Sequence, residues 1–494
     1  MKQSRLLVTG LIITGLILVV GALIIVNQGD DNDNGEAGSS AGAELLANAN
    51  NSDDECIVCH VNHTPGIIAQ FGDSAHFAAG VSCANCHQVP EDTGGATQHP
   101  DQDFFVLARS SSGRCATCHE NQVSQYNRSR HGLPAYVAYA GSDGLSEEHL
   151  AIYEAIPEGG FLEGGNDRNA IHALEGPAVT RFACESCHNV GKPNEDGSVG
   201  DCTACHLRHE FSLEQVRKPE TCNACHIGPD HPQWEIYHES PHGIAYTTGS
   251  DDWNWDAEPG TLTTIDFPAP TCATCHFSGF GASGTTHDVG ERLTWYLFAP
   301  VSGRRPTYQE NADRMQGVCQ ACHSSNFINE FYADGDEIVA AVNDWVYFSR
   351  AMIAPLNEYG LLTTAPFDEP IDYTFFNIWH HWGRTTKFGA WMQGPDYTQW
   401  HGAYEVMHDL SELREQVDEK LSEVGLCLDM PDGFPSNESA STFITQFDDV
   451  TQASIPLTED CGEPSIENSD EAPDTEIEDV EDQASENSDS DDES

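Results

Sequence analysis

The sequence predicts a mainly α-helical protein with little regular structure in its first two-thirds and a helical C-terminal region. Eight copies of Cys-x-x-Cys-His run through residues 56–323 and use 16 of the 18 cysteines. Copies spaced this closely leave too few residues between them for a conventional apolar core. Helical apolar spacing over longer stretches begins only after the last copy, in residues 327–353 and 404–424.

Each copy is an attachment signature for c-type haem, because its two thiols add to the haem vinyl groups and the adjacent His binds the iron. A four-cysteine zinc module would not need a His after every second cysteine. The predicted fold class is therefore a mainly α multihaem cytochrome c, with eight covalently bound c-type haems. The thioether cysteines are Cys56, Cys59, Cys83, Cys86, Cys115, Cys118, Cys184, Cys187, Cys202, Cys205, Cys222, Cys225, Cys272, Cys275, Cys319 and Cys322. The proximal iron ligands are His60, His87, His119, His188, His206, His226, His276 and His323.

Fifteen of the 23 histidines lie outside these motifs and are available for the second face of each iron. Eight would suffice if every haem had two His ligands, so counting does not show whether one iron is open. The distinction matters because a haem with His on both faces only transfers electrons, whereas a catalytic haem keeps one face open. The candidate distal ligands are His76, His99, His131, His172, His209, His242 and His287.

Two segments suggest an open haem. In residues 228–233, turn residues hold Asp230 beside His231, a carboxylate and an imidazole suited to proton transfer. A simple turn that supplies one more distal ligand explains the same segment equally well. Residues 394–402 form an aromatic-rich stretch that opens a helix, for which core packing is the default explanation.

The charge balance is strongly acidic, with 80 acidic and 21 basic residues and a net charge of −59. This exceeds what solubility requires. Abundant Asp and Glu with scarce Lys resemble proteins that work in strong salt, where screening removes the self-repulsion. We therefore expect a halophilic protein, and the charge excludes nucleic acid as a partner.

Composition divides the chain into five regions: a membrane anchor or signal (1–29), an acidic flexible tether (30–54), an octahaem domain (55–325), a haem-free helical region (326–460) and a disordered acidic tail (461–494). Residues 6–26 carry no charge and follow Lys2 and Arg5, which predicts a transmembrane helix with the remaining chain at the extracytoplasmic face of the cell membrane. A cleaved secretory signal is the alternative. Cys427 and Cys461, the two cysteines outside the motifs, are expected to form a disulfide in that oxidising setting.

The motifs also occur in a characteristic order. The haem motifs are accompanied by Gly-Pro-Asp-His-Pro-Gln at residues 228–233, Thr-His-Asp-Val-Gly-Glu-Arg at 286–292 and Asp-Tyr-x-x-Trp-His-Gly at 396–402. Over residues 56–424 the chain thereby resembles the octahaem hydroxylamine oxidoreductases. The resemblance implies that the haem of Cys184 and Cys187 is catalytic, with His188 as proximal ligand and Asp230 and His231 in its active site. It implies further that Tyr397 of a neighbouring subunit is covalently bonded to this haem within a homotrimer.

The resemblance implies an enzyme that oxidises hydroxylamine to nitric oxide or nitrite at one open haem. The other seven haems, each with two His ligands, would pass electrons to a cytochrome or a quinone-linked acceptor; hydrazine is a second candidate substrate. Reductive relatives of this fold lack the cross-linking tyrosine, so Tyr397 favours oxidation. Two alternatives remain: a reductive enzyme that converts nitrite or hydroxylamine to ammonia, and an electron-transfer cytochrome without a substrate.

We predict from the charge balance that stability requires high salt. The acidic side chains repel one another over a screening length that falls from roughly 30 Å at 0.01 M salt to roughly 3 Å at 1 M. The melting temperature, followed across a potassium chloride series, should therefore rise steeply. A flat or falling curve would contradict the halophilic interpretation.

Overall fold

The structure is a computed structural model that describes residues 40–156 and 170–461. Helices dominate and sheet is scarce, which confirms the predicted mainly α fold class. The helices of the first part of the chain are α1 Ala41–Asn48, α2 Glu55–His60, α3 Pro65–Gly72, α4 Ala75–Ala78, α5 Cys83–His87, α6 Ser112–Ala116, α7 Glu120–Arg128, α8 Leu133–Ala140, α9 Glu147–Glu154, α10 Ala170–Glu175, α11 Pro177–Phe182 and α12 Cys184–His188. Those that follow are α13 Leu213–Arg217, α14 Glu220–Asn223, α15 Gln233–Glu239, α16 Pro241–Gly249, α17 Tyr308–Cys319, α18 Ser325–Tyr359, α19 Pro370–Phe376, α20 Gly383–Met392, α21 Pro395–Thr398, α22 Tyr404–Ser422 and α23 Asn437–Ile444.

The strands are short and pair antiparallel. The first sheet has the order β1 (Gln88–Val89), β3 (Phe105–Val106) and β2 (Thr97–Gln98). The second pairs β4 (Cys427–Leu428) with β5 (Leu457–Thr458), with Cys427 opposite Thr458. Close to this pair the structure joins Cys427 to Cys461 by a disulfide with a Cα–Cα distance of 5.5 Å.

The chain divides into two compact units that do not follow sequence order. The first comprises the described residues up to Val123 together with Pro193–Val216. The second comprises the described residues of Ser124–Lys192 and those from Arg217 onward. Each unit therefore carries four haem motifs, those beginning at Cys56, Cys83, Cys115 and Cys202 in the first and at Cys184, Cys222, Cys272 and Cys319 in the second.

The largest apolar core lies in the second unit, around the long helix α18. This helix begins after Ser324, whose hydroxyl accepts a hydrogen bond from the N–H of Phe327 at 3.4 Å, and ends at Gly360 in the left-handed conformation. Its buried face packs against the apolar face of α22. The fully buried core residues include Val342, Val346, Met352, Leu356, Val406, Leu410, Leu413, Val417 and Leu421.

Both longer helices expected after the last haem motif are present. The apolar spacing of residues 327–353 corresponds to α18, which begins two residues earlier and ends six residues later. That of residues 404–424 corresponds to α22. The predicted acidic tail lies outside the described residues except for Cys461.

The described part of the predicted tether, residues 40–54, is folded, which corrects the expectation of a flexible segment there. The Ser40 side chain caps α1 by accepting from the N–H of Ala43 at 3.2 Å. Ala49 is buried against Ile57 and Ile68. An N-cap and an apolar contact outweigh the polar composition from which flexibility was predicted.

The predicted membrane anchor is also corrected. Among residues 40–156 and 170–461, no helix combines the length and the apolar character needed to cross a bilayer. The longest helix, α18, carries charged residues such as Asp336, Asp344 and Arg350 along its length. Residues 6–26 lie outside the described residues, so the prediction of a single N-terminal transmembrane anchor finds no support and is withdrawn.

Candidate functional site

The haem motifs form short helical turns. In Cys-x-x-Cys-His the cysteines and the His stand at positions i, i+3 and i+4, which share one face of a helix. The helices α2, α5 and α12 follow this pattern, and Asp54 caps α2 by accepting from the N–H of Cys56 at 2.8 Å. The two thiols and the imidazole of one motif therefore point to the same side, as attachment to one haem requires.

Five motif histidines face a second histidine at nearly constant distance. An imidazole nitrogen lies about 2 Å from a bound transition metal, so two imidazoles on opposite faces of one ion have ring centres roughly 6 Å apart. The observed centroid separations fit this arrangement. The pairs are His60–His99 at 6.2 Å, His76–His119 at 6.1 Å, His87–His209 at 6.2 Å, His131–His226 at 6.0 Å and His242–His323 at 6.0 Å.

These pairs bring five of the seven distal candidates opposite a motif histidine, each pair within one unit. The other two are placed differently. The ring of His287 lies 6.1 Å from that of Phe277, and the backbone N–H of His287 donates to Gln125 Oε1 at 3.0 Å. His172 belongs to α10, and its side chain lies outside the described part of the chain.

Hydrogen bonds orient several motif histidines. Nδ1 of His188 lies 2.6 Å from the carbonyl oxygen of Ala135, and Nδ1 of His87 lies 2.7 Å from that of Leu107. A carbonyl can only accept, so these Nδ1 atoms carry the proton and Nε2 is left as the metal ligand. The residues present therefore fit haem.

Neighbouring motifs touch within each unit. In the first unit the side chains of Cys115 and Cys202 adjoin one another, and each shifts the pKa of the other. In the second unit the side chains of Cys222 and Cys272 adjoin one another, and Cys187 Sγ lies 3.9 Å from the carbonyl oxygen of Ala224, inside the motif that begins at Cys222. Haems attached at motifs this close would lie next to one another, which would suit electron transfer between them.

The Asp230–His231 pair occupies the turn before α15 in the second unit. Asp230 Oδ2 lies 2.7 Å from Nδ1 of His231. The ring of His231 has its centroid 6.5 Å from that of His188 and 6.1 Å from that of His226. The sequence-predicted active-site pair is thus brought beside the proximal His of the fourth motif, at a separation slightly larger than in the five His pairs.

The second oxygen of Asp230 meets two side chains from a distant part of the chain. Oδ1 lies 3.2 Å from Nη1 of Arg384 and 3.1 Å from Nδ1 of His380. Burial alone would raise the pKa of Asp230, but the hydrogen bond and charge of His231, with smaller contributions from His380 and Arg384, hold that pKa well below its ordinary value. Asp230 is therefore an anion throughout the physiological pH range.

His380 itself is held neutral. Burial and the neighbouring Arg384 charge lower its pKa to about 2, although Asp230 acts in the opposite direction. Its ring stacks on Phe376 with centroids 4.1 Å apart. The positive charge beside Asp230 at neutral pH is therefore that of Arg384. Burial lowers the pKa of Arg384 only to about 10.

Tyr397 lies elsewhere in the second unit. It belongs to α21, its N–H donates to Glu239 Oε1 at 3.2 Å, and its ring stacks on His401 at 5.0 Å. Among the described residues, none of its contacts reaches His188, Asp230 or His231. Within one chain, the structure therefore does not bring Tyr397 to the fourth motif.

Sequence reasoning missed His380 and Arg384. Both come from a stretch without a haem motif, the π-helical segment Asn377–Trp382 and the start of α20. The sequence did contain a signal for these two residues. A His and an Arg four residues apart lie on the same face of a helix, here with aromatic neighbours. Single π-helical turns are also frequent at functional sites.

Comparison with known proteins agrees with this architecture. The family model described as seven times multi-haem cytochrome CxxCH matches residues 79–370, more than half of the chain. The model of cytochrome c554 and c-prime matches residues 29–88. The two matches together include all eight motifs. The protein is thus a multihaem redox protein of the c type, and it belongs to the multihaem CxxCH cytochrome family.

Individual relatives are more distant. A probable nitrite reductase-hydroxylamine oxidoreductase fusion protein of Kuenenia stuttgartiensis is 29% identical over 332 residues, covering 56% of this chain and 34% of that protein. The C-type polyheme cytochrome OmcC of Geobacter sulfurreducens is 29% identical over 195 residues, covering 34% of this chain and 24% of that protein. The chain therefore spans only about a third or less of these relatives.

Two solved structures share the fold. A hypothetical multiheme protein superimposes with a TM-score of 0.65 at 21% identity, covering 78% of this chain and 99% of that chain. The Kuenenia stuttgartiensis reducing HAO-like protein complex Kustc0457/Kustc0458 gives 0.57 at 17% identity, covering 78% and 88%. The family model confirms the predicted multihaem cytochrome family, and these two structures share its fold.

We predict that the mature protein carries eight haems. Each of the eight motifs supplies both thiols and the adjacent His, so all should be loaded during maturation. Intact mass spectrometry of denatured protein should therefore show the apoprotein mass plus eight haem masses. A fully matured protein with seven or fewer would contradict the assignment of one haem to every motif.

Proposed function

We propose that the protein is an oxidoreductase that oxidises hydroxylamine at the haem attached through Cys184 and Cys187. Seven further haems carry the electrons to a cytochrome or a quinone-linked acceptor. When bound, the haem supplies the iron that takes the substrate nitrogen and the route by which electrons leave.

The observation that carries this proposal is the environment of His231. In the five pairs with centroids 6.0–6.2 Å apart, no carboxylate of the described residues bonds the distal ring. His231 instead is held by Asp230 at 2.7 Å and lies 6.5 Å from His188. His231 also lies 6.1 Å from His226, but the ring of His226 already faces His131 at 6.0 Å. A histidine that is anchored by a carboxylate, and whose nearer motif histidine is already paired, is suited to proton transfer rather than to ligation.

Asp230 and His231 then divide the proton transfer between them. Asp230 accepts the hydrogen bond from Nδ1–H of His231, which leaves Nε2 of His231 as the proton acceptor. As the substrate loses electrons it also releases protons. Nε2 accepts them one at a time and passes each to solvent before the next, while Asp230 stabilises the imidazolium. The tautomer follows from the hydrogen-bond partners of the ring.

The charge of the site supports a neutral substrate. Arg384 is already paired with Asp230 at 3.2 Å, so its charge is compensated. Nitrite would have to compete with this carboxylate for the guanidinium, whereas hydroxylamine, uncharged near neutral pH, would not. Hydrazine shares this property and is a second substrate of the same class.

Tyr397 bears on the direction of the reaction. We propose that Tyr397 bonds covalently to the catalytic haem of a neighbouring subunit in a homotrimer. The separation of Tyr397 from Asp230 and His231 within one chain agrees with a contribution from another copy. Such a bond would favour electron withdrawal from the substrate.

Reduction of nitrite or hydroxylamine is the second candidate function. It is favoured by the names of two relatives, a nitrite reductase-hydroxylamine oxidoreductase fusion protein and a reducing HAO-like complex. A third reading, electron transfer without a substrate, has its counterpart in the polyheme cytochrome OmcC. The following two experiments separate the three.

We predict that His231→Gln slows hydroxylamine oxidation roughly 10²–10⁴-fold, the range for loss of a general base. The oxidised wild-type protein should contain one high-spin haem by electron paramagnetic resonance, and His231→Gln should not add another. As a matched control, His131→Gln removes a ring that faces His226 at 6.0 Å and should create a new high-spin haem.

The opposite spectroscopic result would identify His231 as an axial ligand. In that case the wild-type protein would contain no high-spin haem, and His231→Gln would create one. The protein would then have no open iron at the fourth motif, and electron transfer without a substrate would become the better reading.

We predict that Tyr397→Phe abolishes a distinct absorption band of the reduced protein and collapses hydroxylamine oxidation, because phenylalanine cannot form the bond. Denaturing gels should show species up to a trimer for the wild type and a monomer for the variant. Tyr404→Phe, a half-exposed tyrosine at the start of α22, is the control and should change neither. A wild-type rate and spectrum in Tyr397→Phe would favour the reductive or electron-transfer function.

A further inference from the structure

Arg384 contacts three different groups around the Asp230–His231 pair. Its side chain is only 9% exposed. Nη1 lies 3.2 Å from Asp230 Oδ1 and 2.9 Å from Nε2 of His380. Nε and Nη2 both donate to the carbonyl oxygen of Phe298, at 2.9 and 2.6 Å. These contacts engage four of the five N–H groups of the guanidinium.

Phe298 in turn packs on His231. The two ring centroids are 5.2 Å apart, and the Arg384 guanidinium lies 5.2 Å from the centre of the same phenylalanine ring. Arg384 therefore holds both neighbours that fix the His231 ring. One is the carboxylate that bonds Nδ1 of His231, and the other is the aromatic ring against its face.

We propose that Arg384 is a positioning residue that acts through Asp230 to hold His231 in the orientation for proton transfer. This inference rests on the proposed function, because it concerns how the proton acceptor is arranged. Arg384 needs no contact with the substrate in this role.

The physical basis is the cost of burying a charged group. Arg384 is the buried partner, whereas 42% of the Asp230 side chain is exposed. A guanidinium withdrawn from water is stable only when paired and hydrogen-bonded, so the buried Arg384 restricts the position of the Asp230 carboxylate. The ion pair leaves Oδ2 of Asp230 facing His231 Nδ1 while Oδ1 is held by Arg384. Without Arg384, the Asp230 side chain could rotate and release the imidazole.

A second buried cation on the same helix serves as a matched control. Lys387 lies one turn after Arg384 in α20 and is fully buried. Its Nζ donates to Ser302 Oγ at 2.8 Å and to the carbonyl oxygen of Ala299 at 3.4 Å. It anchors the segment that carries Phe298, but among the described residues its contacts do not include Asp230 or His231.

The test is a double-mutant cycle with two measurements, the rate of haem reduction by excess hydroxylamine and the melting temperature. We expect Arg384→Met to lower the rate at saturating substrate roughly 10–100-fold, as loss of a residue that orients a functional side chain does. KM should change little. In the Asp230→Asn background, Arg384→Met should lower the rate no further, because the carboxylate through which Arg384 acts is already absent.

The controls separate this role from a general loss of stability. Lys387→Met should lower the melting temperature but change the rate by less than about threefold, equally in both backgrounds. Arg384→Lys keeps the charge but loses the planar fork, so its rate should lie between those of the wild type and Arg384→Met. The fall in melting temperature on Arg384→Met should be smaller in Asp230→Asn than in the wild type, because the ion pair is absent there.

Two results would overturn the inference, and they differ. If Arg384→Met slows the reaction equally in both backgrounds, as Lys387→Met does, Arg384 only supports the fold while the proposed function stands. If Asp230→Asn alone reacts at the wild-type rate, the role of Asp230 in the proposed function fails, and the inference fails with it.

Discussion

The fixed separation of two imidazoles across a metal ion is the constraint on which this structure depends. The motif-bearing first unit has little apolar core of its own, its main cluster being Ala49, Ile57 and Ile68. The large core around α18 and α22 belongs to the part of the chain without haem motifs. Between the motifs at Cys222 and Cys319 of the second unit, a buried aromatic cluster that includes Trp253, Trp255 and Phe267 provides a second core. The first unit therefore depends most on what its histidines bind, since a ligand that binds only the folded state stabilises it.

This constraint explains which features could be predicted from the sequence. A haem motif lies within one helical turn, so its residues and their chemistry are readable locally. The apolar periodicity of residues 327–353 and 404–424 is equally local, and both helices are present. Five of the seven distal candidates lie opposite a motif histidine, although the fifteen histidines outside the motifs left their partners unassigned in the sequence.

The features that could not be predicted depend on distant pairing. Arg384 is 154 residues from Asp230, and no local pattern connects them. The division into two units is equally non-local, because residues 193–216 pack with the start of the chain. Residues 40–54 were misjudged for a different reason, since composition reports polarity but not the cap at Ser40 or the burial of Ala49.

On our proposal, the residues that transfer protons are not the ones that determine whether the reaction runs as an oxidation or a reduction. The Asp230–His231 pair can accept protons during oxidation or return them during reduction, because the same two atoms serve both. Arg384 improves this arrangement without favouring either direction. On our proposal, direction is set by the electronic state of the haem, and the residue that tunes it, Tyr397, comes from another copy of the chain. Assembly would then determine direction: a separated chain would keep its proton acceptor but lose the bond that favours oxidation.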